Sequence, residues 1–165
     1  MTHSSVPDVQ PTRPPDGDNA GSSPDDFVSA INAIMPPGLQ LMKATCLSVC
    51  RERAEVQMSY ELDERFVNVE GLICGGYTAQ ILDQTATGAA LAMTGMLSLT
   101  IDLYVNFVAG ARPGKLVATG SLVHTTNSLA FTEARVTDAV GRLLARGSVT
   151  SKLVAPSAPD RRFSA

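Results

Sequence analysis

Hydrophobic and polar residues along this chain repeat with two periods, and the switch between them marks its elements. Over residues 23–38 the repeat is helical. Phe27, Ala30, Ile31, Ile34 and Met35 share one face, Ser23 stands as N-cap, Pro24 takes the first helical position, and Asp25 and Asp26 fill the first turn. Pro36-Pro37-Gly38 predicts the end of that helix. From there the period drops to two. Residues 39–49 predict a strand. Ala54, Val56, Met58 and Tyr60 alternate with Arg53, Glu55, Gln57 and Ser59, which predicts a second strand with one buried face. Residues 61–73 predict a loop or irregular crossing.

Residues 76–93 return to the helical period and are rich in small side chains: Ala79, Ala86, Gly88, Ala89, Ala90 and Ala92. Asp83 is almost the only charge. A helix apolar on nearly all sides is a buried helix, and small side chains let a sheet approach it. Four strands are predicted after it. In the first, Leu99, Ile101, Leu103, Val105 and Phe107 alternate with Thr100, Asp102, Tyr104 and Asn106. Turns at Ala111-Arg112-Pro113-Gly114, Thr126-Asn127-Ser128 and Asp138-Ala139-Val140-Gly141 then separate strands near 115–125, 129–138 and 142–153. Tight turns imply an antiparallel meander. The expected fold is α+β: a curved antiparallel sheet wrapped around one long central helix. Its uncovered face and edges imply dimerisation.

Composition narrows the class. A chain of 165 residues that is 44% hydrophobic and carries a net charge of −3 supports one domain with a full core, placed here at residues 23–155. Residues 1–22, with Pro7, Pro11, Pro14, Pro15, Gly17 and Gly21, read as a disordered tail, and residues 156–165 as a frayed C-terminus. The acidic balance offers no broad footprint for nucleic acid or an anionic membrane. No apolar run reaches the ~18–20 residues that span a bilayer, and the N-terminus lacks a secretory pattern, so a cytoplasmic location is expected. Cys46 and Cys50 would lie ~13 Å apart on one strand, too far for a disulfide, and an odd count of three with Cys74 fits reduced thiols. His3 and His124 are the only histidines, and no ligand spacing predicts a metal site. His124 reads as a strand-end surface residue.

Candidate chemistry gathers where the long helix begins. Gly75-Gly76 opens it, and a helix start offers unpaired N–H groups and a partial positive charge to an oxyanion. Asp83 could activate water or attack directly. A thiol at Cys74 would be acidified by the helix start, but no histidine stands near it in sequence, and it reads as filler. Asp102 and Asn106 share the strand face of Thr100 in this pattern and read as solvated.

The segments Asn68-Val69-Glu70-Gly71-Leu72-Ile73-Cys74-Gly75-Gly76, Asp83 and Thr100-Ile101-Asp102-Leu103-Tyr104-Val105-Asn106-Phe107 carry a resemblance over residues 40–153. Ser128-Leu129-Ala130-Phe131 and Gly141-Arg142-Leu143-Leu144-Ala145-Arg146-Gly147 add to it. The chain resembles the hotdog-fold thioesterases of the 4-hydroxybenzoyl-CoA thioesterase superfamily, most closely the PaaI-like group of phenylacetic acid degradation. The resemblance implies hydrolysis of aryl or medium-chain acyl-CoA in a homodimer or homotetramer. No metal or redox cofactor is implied, and coenzyme A enters only as part of the substrate. It assigns Asn68 to the thioester carbonyl or the attacking water, the Gly75 N–H to polarising the carbonyl, Asp83 to the role of base or nucleophile, and Thr100 to holding the water. Cys74 and Gly76 flank Gly75 as substrate-binding neighbours. Two departures stand out: Cys74 replaces the family's usual histidine, and Thr126-Asn127 replaces a glycine with a basic residue.

Spacing adds a constraint. Eight residues separate Gly75 from Asp83, about 12 Å along a helix. One thioester carbon cannot touch both within a protomer, so the expected site combines Asn68 and Gly75 of one protomer with Asp83 and Thr100 of its partner. Two rivals remain in view. A hotdog dehydratase or hydratase would want a histidine beside its acid, where this chain has Cys74. A non-catalytic acyl-thioester-binding dimer would need no turnover at all.

Overall fold

The computed structural model describes residues 23–156. The expected tail over 1–22 and the C-terminus from 157 onward lie outside the described residues. The N-terminal helix α1 spans Pro24–Ala33 and is fully capped: Ser23 Oγ accepts from Asp26 N, while Asp26 accepts from Ser23 N. The sequence pattern ends helical structure at Pro36–Gly38 and starts a strand at 39. Instead Pro37 opens a second short helix, α2 (Pro37–Leu41), because a proline's fixed φ suits a first helical turn. The first strand, β1 (Thr45–Cys50), begins only after it. The strand β2 covers Glu55–Leu62. Ala54, expected within it, sits in the preceding turn with φ +51.

The irregular crossing holds a single 3-10 turn, Glu64–Phe66. The long helix α3 runs Gly75–Thr94 and stops at Gly95, whose φ of +70 suits a left-handed cap. Then come β3 (Leu97–Phe107), β4 (Gly114–Thr125), β5 (Leu129–Asp138) and β6 (Leu143–Val154). All six strands form one antiparallel sheet in the order β1-β2-β4-β5-β6-β3.

The sheet wraps α3. Ile81, Leu82, Ala86, Ala89 and Ala90 of the helix are fully buried. Contact with β4 is backbone-close: a Cβ on Gly120 would lie 2.4 Å from the Thr85 carbonyl oxygen, so only glycine fits there. Beside it the Tyr60 hydroxyl and Thr85 Oγ1 share a buried hydrogen bond of 2.9 Å. Burial raises the Tyr60 pKa, with the Thr85 bond opposing in part.

The two sheet edges differ. At β1 the Asn32 side chain of α1 both donates to the Cys46 carbonyl (3.0 Å) and accepts from its N–H (2.8 Å), occupying backbone groups that would otherwise recruit a strand. At β3 no such guard exists among the described residues, and the strand exposes Leu99 (55%), Ile101 (61%) and Phe107 (58%).

One irregularity in β3 overturns the simple alternation expected there. Thr100 pairs with Ser151 and Asp102 with Thr150, so Ile101 has no opposite number and forms a β-bulge. Beyond the bulge Leu103 and Val105 pack on the core, as the pattern predicts. Before it the faces are reversed: Leu99 is solvent-exposed and Thr100 points toward α3. Asp102 and Asn106 therefore do not share the face of Thr100. Asn106 and Tyr104 line a trough on the opposite side of the sheet, with Arg135 and Arg146.

Candidate active site

The start of α3 is built to leave donors open. Its N-cap is Cys74, whose side chain makes no capping bond, in contrast to the boxed start of α1. The Cys74 carbonyl accepts from the N–H groups of Tyr77 (3.0 Å) and Thr78 (3.4 Å). Among the described residues the N–H groups of Gly75 and Gly76 have no acceptor. A capping Ser or Asp would compete for donors in this turn; cysteine does not. The helix dipole adds partial positive charge. The Cys74 thiol is exposed rather than packed, so it is not the core filler expected from sequence.

Only one of the two glycines faces a slot. The Phe107 ring lies over Gly75, with its Cζ 3.3 Å from where a Cβ would stand. Gly75, Asn68, Leu72, Val108, Ala109 and Ala111 are among the residues lining a slot of about 330 Å³. Gly76 is exposed and lies outside that lining. The wall is firmly held: Ile73 N donates to the Ala111 carbonyl (2.8 Å), and Val108 N and Ala109 N both donate to the Leu144 carbonyl.

Asn68 is held by its own loop. Its Oδ1 accepts from Glu70 N (3.0 Å) and Leu72 N (3.2 Å), and its N–H donates to the Leu72 carbonyl (2.7 Å). Gly71 closes the turn at φ +72, a left-handed conformation that favours glycine. With Oδ1 saturated, the side chain has only its Nδ2 hydrogens to offer a ligand.

The second group forms two helical turns further along. Thr100 Oγ1 donates to Asp83 Oδ1 at 2.6 Å. Thr87 Oγ1 donates to the Asp83 backbone carbonyl (2.8 Å), fixing that stretch of helix. Asp83 is half-buried and Thr100 exposed, at the open β3 edge. The six residues singled out in the sequence thus fall into two sets: Asn68, Cys74, Gly75 and Gly76 at the helix start, and Asp83 with Thr100 on its flank. Phe107, Leu72 and the 108–111 wall escaped the sequence reading. The one available signal was an apolar run, Phe107-Val108-Ala109, continuing past the end of a strand. Among the described residues no three His, Cys, Asp or Glu side chains cluster to hold a metal, and no helix is long and apolar enough to cross a membrane.

A long helix wrapped by one curved antiparallel sheet is the hotdog architecture. The chain belongs to the thioesterase superfamily, whose sequence profile matches residues 70–145. It is 30% identical over 116 residues to acyl-coenzyme A thioesterase 13 of Homo sapiens, an alignment that spans 68% of this chain and 81% of that protein. Its fold is shared by many solved structures, two of which serve as examples. Zebra fish thioesterase superfamily member 2 superposes with a TM-score of 0.69 at 24% identity, covering 81% of this chain and 99% of that one. The E. coli PaaI protein from the phenylacetic acid degradation operon gives 0.71 at 11% identity, over 79% and 93% of the two chains.

Proposed function

We propose that this protein hydrolyses acyl-CoA thioesters, with an aryl or medium-chain acyl group, to the free acid and coenzyme A, in a site shared by two protomers. The observation that carries this reading is the Thr100–Asp83 bond beside an unguarded apolar sheet edge. Thr100 occupies Oδ1 and leaves Asp83 Oδ2 free to accept a proton. Water held by Oδ2 and the Thr100 oxygen would attack the thioester carbon as its proton passes to Asp83. The carbonyl oxygen would gather charge against the Gly75 N–H and Asn68 Nδ2, donors already in place before reaction. Collapse breaks the C–S bond, and the proton on Asp83 returns to the departing thiolate. Neither a metal nor a redox cofactor takes part.

Assembly follows from the same geometry. Gly75 and Asp83 are too far apart along α3 to meet one carbon. A second copy joined along the β3 edge would bury Leu99, Ile101 and Phe107 and bring the Asn68–Gly75 set of one protomer to the Asp83–Thr100 set of the other. A homodimer is the smallest complete assembly, and a homotetramer repeats it. Three free thiols fit a reducing cytoplasm.

A thiol-release assay over a panel of acyl-CoAs tests the activity. Release by wild type that vanishes in Asp83→Asn, with circular dichroism and assembly unchanged, supports hydrolysis. Tight binding without release at every chain length would instead make this an acyl-thioester-binding dimer.

A further inference from the structure

Thr100, which the reading above gives the task of holding water, has two further hydroxyls on its own face of the sheet. Ser151 of β6 stands directly opposite it in the ladder and is fully buried. Ser98, two residues before Thr100, shares a hydrogen bond with Ser151, Oγ to Oγ. We propose that Ser98 is a positioning residue: it holds the Ser151 hydroxyl away from Thr100, so that the Thr100 oxygen stays open to the attacking water. The inference rests on the hydrolytic reading above and deepens it at the same site.

The bulge at Ile101 makes the arrangement. It turns over the stretch before it, so that Ser98 and Thr100 face inward while Leu99 faces solvent. Ser98 lies opposite Leu153, so its bond to Ser151 runs diagonally across the ladder, toward the residue that pairs with Thr100. Around Ser151 the face is apolar. Ala130 opposes it on β5, Leu153 follows it on β6, and both cluster with Ala90 of α3. A hydroxyl buried there without a partner would be costly. Among the described residues Ser98 Oγ is the only hydrogen-bond partner of Ser151 Oγ.

Proton counting shows what that bond prevents. Each serine hydroxyl has one proton to give and two lone-pair sites. Ser98 is half-buried and can give its proton to water; Ser151 is sealed and cannot. Ser151 is therefore the donor and Ser98 the acceptor. With Ser98 gone, the hydroxyl left facing the Ser151 proton is that of Thr100, since side chains directly opposite in an antiparallel pair start about 4.5–5.5 Å apart at Cβ. Thr100 already donates to Asp83 Oδ1, and its oxygen accepts from no group among the described residues. A bond from Ser151 would fill the lone pair that the water needs.

Steady-state thiol release from one acyl-CoA tests this. Ser98→Ala should lower kcat about five- to tenfold, the worth of one hydrogen bond, and leave KM unchanged. Ser151→Ala has no proton to misplace and should keep kcat near wild type. Ser98→Ala combined with Ser151→Ala should recover the rate, and recovery on removing a second hydroxyl is an effect that a merely structural bond would not give. Ser98→Cys, close in shape but a weak acceptor, should fall between wild type and Ser98→Ala. Should Ser98→Ala not fold, Ser98→Cys with and without Ser151→Ala makes the same comparison. A double variant as slow as the Ser98 variant alone, or a Ser98 variant as fast as wild type, would overturn the role of Ser98. Thr100→Val, run beside them, keeps the two readings apart. Full activity in Thr100→Val would remove the water-holding role of Thr100 and this inference with it. A slow Thr100→Val beside a fast Ser98→Ala would remove the inference alone.

Discussion

Thr100 reaches Asp83, at 2.6 Å, only because Ile101 is bulged out of β3. Regular alternation would leave Thr100 on the outer face with Asp102. The bulge reverses the face at that point and aims one hydroxyl at the helix carboxylate, which is a recurrent use of bulges beside active sites. Thr100→Ser should therefore keep near wild-type thiol release. Thr100→Val, of similar shape but with no hydroxyl, should lower kcat about ten- to hundredfold, the cost of one hydrogen bond to a charged group. Equal activity in the two variants would show that the hydroxyl has no role.

Asn68 does two tasks with two atoms, and substitution separates them. Asn68→Asp retains an acceptor for Glu70 N and Leu72 N, so the loop stays closed, but removes the donor. Its thermal midpoint should stay close to wild type while kcat falls about 10²–10³-fold, as for loss of an oxyanion donor. Asn68→Ala should lose the activity and also about 1 kcal/mol of stability. Calorimetry beside the thiol-release assay reads both.

Two glycines touching the same helix should respond in opposite directions. Gly120→Ala drives a methyl to 2.4 Å from the Thr85 carbonyl, which is backbone and cannot turn aside. It should cost about 1–3 kcal/mol or more by overpacking. At Gly88 within α3 the nearest neighbour of an added methyl is Met58 Sδ at 4.0 Å, an ordinary contact. Gly88→Ala should add about 0.5–1 kcal/mol by relieving helical entropy. Urea midpoints would decide both.

Alkaline stability should report on Tyr60. Its pKa in the fold is raised by burial above the ordinary tyrosine value of 10.0. Below that value the phenol is protonated in both states and its contribution is complete. Above it the unfolded chain gives up a proton that the fold retains, so stability falls as pH rises. Tyr60→Phe should cost about 1 kcal/mol at neutral pH through the lost Thr85 bond. It should also flatten the decline that sets in near pH 10 and continues above it, measured as denaturation midpoints. A decline as steep as wild type would place its origin elsewhere.

Local signals carried far in this chain, and the failures came where long-range pairing decides. Small residues around every side of 76–93 mark a buried helix because no other element could hold so little polar surface, and α3 begins within one residue of that reading. Turn chemistry at Asn127-Ser128 and Gly141 bounds β5 and β6 closely. The bulge at Ile101 is different. Leu99, Ile101 and Leu103 form an unbroken alternation, and only the register against β6 shows that the face changes between them. The same holds for Pro37: a proline reads equally as the stop of one helix or the first turn of the next. At the site, Gly75 and Asp83 stood out by residue type. The Phe107 stack, the slot and the saturated Asn68 oxygen depend on loops meeting from residues 66–73 and 107–111, which no local pattern records.

The shared site is tested most directly by mixing two dead subunits. Asp83→Asn and Asn68→Asp protomers, each inactive as a homodimer, are dissociated together and reassembled in equal amounts. Half of the dimers then carry both variants, and in each of these one site receives Asp83 from one chain and Asn68 from the other. Thiol release should return to about a quarter of the wild-type rate, the fraction of intact sites expected from random two-fold pairing. A mixture that forms mixed dimers yet stays as inactive as its parts would place both residues of a working site in the same chain.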